Sequence, residues 1–350
     1  MQNSTIFTKR NILEASISVL IFVLVVFVIW RGQAASSDPI QMFTAHFPNL
    51  YSESMALTLF VPLAIAFLID CVVSGWKNSA IYRLLFFRTT SVWTDIFSFI
   101  LFSYLRIGFI ALHVITYSVI SLAGSSLGGV AKLSILDHIS DPIAQIVVAF
   151  LVRDFFVYWT HRLQHRVSFL WEAHTMHHSA NEFNVISVHR LYPLEELFGS
   201  FVSGVWLAIL GASPQTYLAV IIFWQIQQHI IHSNVHWNLG WLGRWLIVSP
   251  AHHRIHHGKE AEFHDTNFGT QLIIWDRLFG TYKPSSTKFV EIGLDDKVYN
   301  RSFLWDLATS SLKSVVKFFV SLGLAVQLTA AGCKWSVETY RNIMIGEKRG

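Results

Sequence analysis

Three histidine groups carry the chemistry of this 350-residue chain. The segment RDFFVYWTHRLQH, Arg153 to His165, ends in an H-x-x-x-H pair, His161 and His165. His174-Thr175-Met176-His177-His178 follows, and the same H-x-x-H-H spacing returns in His253-Arg254-Ile255-His256-His257. Residues four apart stack on one helical face, so His161 and His165 can address a common ion. Adjacent helical residues diverge by about 100°, so His177 and His178 can serve two different ions. A structural zinc takes about four ligands and a catalytic zinc about three, so eight imidazoles exceed the needs of one ion. Two ions with open positions use the inventory. Imidazole suits zinc, copper, iron and nickel, and ligand type alone does not choose among them.

Further histidines lie between the outer motifs. His229, His232 and His236, at i, i+3 and i+7, share one helical face and are candidates for the remaining ligands. His189, in His189-Arg190-Leu191-Tyr192-Pro193-Leu194-Glu195-Glu196, is a candidate ligand, a hydrogen-bond partner of a ligand, or an interfacial residue. His252 and His264 fall outside the repeated spacing, and the solitary His46, His113 and His138 read as ordinary surface or core residues. The nearby carboxylates are Asp154, Glu172, Glu195, Glu196, Asp265 and Asp276. They are expected to accept protons from ligand histidines rather than to bind metal, with Asp154 and Asp276 foremost. No catalytic residue beyond the ligands is assigned.

The paired Glu-x-x-His motifs of soluble di-iron bundles are absent. So is the His-Glu-x-x-His of helical zinc hydrolases, since Thr175 and Arg254 hold the relevant positions. Two other readings remain open from the residues alone: a heme- or metal-binding electron-transfer protein of the membrane, and a membrane zinc hydrolase.

Elements that bring these groups together must work in lipid. Hydrophobic residues make up 53% of the chain and charged residues only 14%, against about 25% charged in soluble domains. Apolar runs at Ile12–Trp30, Met55–Val73, Ile96–Leu122 and Pro142–Trp159 predict membrane helices, the third interrupted by Arg106 and His113. Leu197–Leu210 and Tyr217–Ile231, joined by Gly211-Ala212-Ser213-Pro214, predict a helical hairpin that returns the chain to the face it left. Val315–Ala331, broken by Lys317, is a last candidate span or surface helix. Arg153 and Asp154 fall near the end of the fourth run, where charge is expensive unless paired.

Loop charge orients the layout. Lys9, Arg10, Lys77, Arg83 and Arg88 share a side with the cations of the histidine region, and the positive-inside rule makes that side cytoplasmic. The net charge of +4 comes with no basic run of the kind that binds nucleic acid. Cys71 and Cys333 lie too far apart in the sequence to argue for a disulfide or a thiolate site. The expected fold is an all-α, polytopic membrane bundle with a cytoplasmic histidine-rich cap holding a dimetal site. Its expected parts are an amino-terminal transmembrane region (1–140), a catalytic region (141–285) and a carboxyl-terminal region (286–350) with one further candidate membrane helix.

From Val147 to Lys283 the sequence resembles the fatty acid hydroxylase and sterol desaturase superfamily. The likeness rests on the three histidine groups, His232-Ser233-Asn234, Ser249-Pro250, and the closing Trp275-Asp276-Arg277-Leu278-Phe279-Gly280-Thr281-Tyr282. It implies a four-helix-type membrane core, two iron ions that zinc can replace in purified protein, and O2 as co-substrate. The implied reaction is hydroxylation, desaturation or a related oxidation of a lipid C–H bond. No cytochrome b5-like segment is apparent in the sequence. Electrons are therefore expected from a separate donor: a cytochrome b5-like protein, a ferredoxin or a reductase.

Overall fold

A computed structural model describes residues 59–103 apart from 88, residue 105, residues 135–346 apart from 286–288 and 295–297, and three isolated positions near the amino terminus. Apart from those three positions, the first predicted span, Ile12–Trp30, lies outside the described residues, as does most of the third. The described chain forms α1 (Val61–Ser74), α2 (Ala80–Phe86), α3 (Thr90–Ser103), α4 (Pro142–Arg166), α5 (Ser168–His178) and α6 (Pro193–Leu210). After these come α7 (Pro214–Ile231), α8 (Gly240–Trp245), α9 (Pro250–His256), α10 (Ile274–Leu278) and α11 (Phe303–Gly346). Among the described residues there is no strand, only isolated bridges at Ile247–Leu272 and Gly258–Ile292.

Pro142–Arg166 and Phe303–Gln327 are long and apolar enough to cross a membrane, and the bent α2–α3 pair makes a third if it is one span. Three helix starts share one device. Asp141, Ser213 and Ser249 each cap an amino terminus with a side-chain oxygen while proline fills the first turn of α4, α7 and α9. The oxygen satisfies a backbone N–H that the helix leaves free, and proline has no N–H to lose there.

The helices pack around α4. Ala149 of α4 meets Trp206 and Leu210 of α6 and Val220 of α7 in one buried cluster, completed by Leu136. On α1, Ala66 joins Ala80 and Val185 in another, with Ile230 of α7 against it. Val167, a fully buried residue with extended backbone (φ −104°, ψ 121°), breaks the helix between α4 and α5. It packs with Phe169, Leu170 and Phe318, so the turn is held from α11 as well.

Polar contacts fix the same neighbours. Ser314 Oγ of α11 donates to the Phe169 carbonyl at 2.7 Å, and Lys317, which interrupts the last apolar run, ion-pairs with Glu172 of α5. Arg190 is buried and pairs with Asp95 of α3 at 2.7 Å while also donating to Ser91 and Ser179. These bonds anchor the loop after α5 to α3.

Candidate metal centre

Nine histidines converge where α4, α5, α7 and α9 end. His161, His165, His174, His178 and His256 form one group, and His177, His232, His253 and His257 form the other. Within each group the ligand-capable nitrogens all lie within 4.8 Å of one another. His161 and His165 come from the last turns of α4; the break at Val167 then sets α5 so that His161 Nε2 and His174 Nε2 stand 3.1 Å apart. In the second group His232 Nε2 lies 3.1 Å from His177 Nε2 and 2.9 Å from His253 Nε2. Metal–nitrogen bonds of about 2.0–2.1 Å would put neighbouring ligand nitrogens roughly 3 Å apart. Adjacent residues diverge between groups: His178 and His256 face one, His177 and His257 the other.

Hydrogen bonds from the ring nitrogens facing away select the tautomers. His161 Nδ1 is 2.8 Å from the Phe268 carbonyl, His232 Nδ1 is 2.8 Å from the Gln228 carbonyl, and His256 Nδ1 is 2.8 Å from the Thr266 carbonyl. A carbonyl only accepts, so each Nδ1 carries the proton and each Nε2 presents a lone pair. His256 Nε2 is buried with no partner among the described residues, as are His165 Nε2, His178 Nε2 and both nitrogens of His257. Buried polar nitrogens of this kind are costly unless something occupies the space between them.

Charge state agrees with ligation. Burial, reinforced by the neighbouring rings, holds His177, His178, His253, His256 and His257 well below the usual histidine range. Burial also takes His174 and His232 down to about 3. The rings are therefore neutral near pH 7, the form that binds metal. By nitrogen type, tautomer, protonation and spacing, the residues present fit two ions.

The carboxylates divide into direct and indirect supports. Glu195, at the start of α6, approaches His174 Nδ1 at 2.6 Å and also accepts from Gln164. Asp265 lies 3.8 Å from His165 Nδ1. Asp154 and Asp276 touch no histidine and act on the loop that carries two of the supporting carbonyls, those of Thr266 and Phe268. Asp154 accepts from the Trp275 indole and the Leu272 N–H. Asp276 accepts from the Phe268 and Gly269 N–H groups and from Thr281. Burial pushes Asp276 up to about 6 against the pull of those donors. A side chain at Gly269 would meet Asp276 Oδ2 at 2.6 Å, so the close approach requires glycine there.

Three candidate ligands lie outside both groups. His229 is buried with Nδ1 on the Val185 carbonyl, and its ring faces His189. His189 packs against Phe99. His236 is exposed beside Phe289. The supporting carbonyls and the reach of Glu195 escaped the sequence reading, since a carbonyl has no residue signature and helix phase does not reveal which loop passes a ligand.

A cavity of about 260 Å³ opens onto His161, His174, His177, His232 and His253. Phe156, Trp206, Leu218, Ile221 and Trp224 give it an apolar wall. Of the aromatic residues near the end of α4, Phe156 lines this cavity; Phe155, Tyr158 and Trp159 pack instead around Phe279.

Residues 146–281, which contain all nine gathered histidines, match the fatty acid hydroxylase family model. In this segment the chain is similar to fatty acid hydroxylases. Alkylglycerol monooxygenases of Xenopus tropicalis and Homo sapiens are 36% and 37% identical to the chain over 141 and 142 residues. Those matches cover 40% and 41% of this chain and 31% of each relative. The ornithine lipid hydroxylase of Rhizobium tropici is 34% identical over 168 residues, 47% of this chain and 49% of that protein. The chain spans about a third to a half of the length of these relatives. No solved structure matches it.

Proposed function

We propose that the chain is a multi-pass membrane oxygenase that hydroxylates or desaturates a lipid at a C–H bond, using O2 and two irons. His161, His165, His174, His178 and His256 would hold one iron, and His177, His232, His253 and His257 the other. The observation that carries this reading is the pair of neutral, inward-facing imidazole groups, with tautomers set by carbonyls, at the end of an apolar cavity. The domain match and the lipid-oxidising activities in the relatives' names support it from an independent direction.

Bound iron would supply O2 activation and the oxidation of an unactivated carbon. The protein's share is placement. The Phe268, Gln228 and Thr266 carbonyls keep three Nε2 lone pairs aimed inward. Glu195 orients His174, and the apolar wall admits hydrocarbon while excluding water. Electrons would come from a separate protein, and the histidine-bearing face would lie in the cytoplasm with the cationic loops.

The test is turnover. The purified full chain, loaded with ferrous iron and given a reductant, 18O2 and the lipid extract of its host membrane, is expected to consume O2 and yield a hydroxylated or desaturated lipid. A hydroxylated product should carry 18O. Iron-loaded protein that oxidises no lipid while releasing acid from a lipid ester or amide would instead establish hydrolysis.

A further inference from the structure

Arg153 is a buried charged residue that the metal centre does not use. It sits in the middle of α4, inside a candidate membrane span, and is only 5% exposed. Its guanidinium carbon lies 4.3 Å from the centroid of the Trp224 ring. Its Nε is buried without a hydrogen-bond partner among the described residues, while the Tyr217, Asp154 and Glu196 side chains lie close enough to interact with its charge without bonding to that nitrogen. Neighbouring Asp154 is engaged by Trp275 and Leu272. A guanidinium has five donors and keeps its charge, so burying one without an acceptor is expensive and marks a ligand or ion pathway by default.

Arg153 also lines the cavity. So do Phe156, Val157, Thr160, His161 and Gln164, which follow it on α4 at i+3, i+4, i+7, i+8 and i+11, a single helical stripe. The cavity therefore runs along α4 from Arg153 to the histidines. Eight residues separate Arg153 from His161, a rise of about 12 Å along the helix axis. With carbon–carbon bonds of about 1.5 Å at near-tetrahedral angles, an extended chain covers that distance in about ten bonds. Phe156, Leu218, Ile221 and Trp224 supply apolar wall for such a chain.

The geometry points to Arg153 as the head-group subsite: it holds the hydrogen-bond-accepting oxygen of a single-chain lipid whose carbon about ten bonds away lies at the histidines. The inference rests on the oxygenase reading for the meaning of that carbon, but not for the binding itself. A planar guanidinium suits a carboxylate in two-point contact and also accommodates an ester or amide carbonyl. Tyr217 and Glu196 line the same cavity, and they bear on which of the two oxygens is preferred.

The experiment reads binding by the full-length, metal-loaded chain in detergent, with tryptophan fluorescence as the signal, for dodecanoate, methyl dodecanoate and dodecane. The wild type is expected to bind at least one oxygen-bearing probe about tenfold or more tighter than dodecane. Arg153→Gln should remove that preference while leaving dodecane affinity unchanged, which also certifies the fold, and Arg153→Lys should retain part of it. Dodecanoate ahead of its methyl ester identifies a free acid; the reverse order identifies an esterified chain. Equal affinity for all three, no binding of either oxygen-bearing probe, or an intact preference in Arg153→Gln overturns the subsite. Binding through Arg153 by a chain without oxidase turnover would sink the oxygenase reading alone. Lipid oxidation without the preference would sink the subsite alone.

Discussion

An imidazole can give one nitrogen to an ion while its other nitrogen donates to the protein, and that second bond sets the aim of the first. Here backbone carbonyls do this for His161, His232 and His256, and a carboxylate does it for His174. Removing such a support typically weakens metal affinity by about 10- to 100-fold. Glu195→Ala is expected to fall in that range and Glu195→Gln, which retains an acceptor oxygen, to lose less, as measured by competition with a chelator. Equal, unchanged affinity in both variants would show that His174 needs no support. That the histidines within each motif gather was legible because helical spacing puts residues three and four apart on one face. Spacing could not separate His232 from His229 and His236. His229 engages the Val185 carbonyl through Nδ1 and packs its ring on His189, and His236 lies beyond the end of α7 at Ile231, where helical phase no longer applies. Asp154 and Asp276 were visible as nearby acids, but their targets are backbone N–H groups that no pattern announces.

Short elements do most of the positioning. The α4–α5 break at Val167 and the Ser249-Pro250 start of α9 aim two of the motifs, and the loop from Thr266 to Asp276 supplies two of the carbonyls. Asp276 holds that loop through three donors. Asp276→Ala would strand them in a buried site, at about 1–3 kcal/mol each if all stay buried. A loss of about 3 kcal/mol or more in urea unfolding, with weaker metal retention, is the expected result. A loss below about 1 kcal/mol would mean that the loop is held elsewhere. The turn at Gly211-Ala212-Ser213-Pro214 that separates α6 from α7 could be read in advance. The length of α11 could not. Its apolar run suggested Val315–Ala331, yet the helix begins at Phe303 and buries Asp306, Ser310 and Ser314, whose polarity a hydropathy reading counts as exposure.

At the scale of the whole molecule, two described helices suit a membrane and the histidines gather at the end of one of them. The cationic loops place that end in the cytoplasm under the proposed topology. Glu262, exposed in the loop after α9, offers a handle. In intact cells, Glu262→Cys should resist a membrane-impermeant thiol reagent and react once the membrane is opened, with the unsubstituted chain as control. Labelling in intact cells would reverse the orientation and leave the site untouched. The central claim is that two histidine groups hold two separate ions, and metal stoichiometry tests it most directly. The full-length chain, loaded with ferrous iron anaerobically and freed of excess, should retain two irons, with His178→Ala and His257→Ala each lowering the count by weakening a different group. A wild-type count of one, or a count unchanged in both variants, would contradict the account.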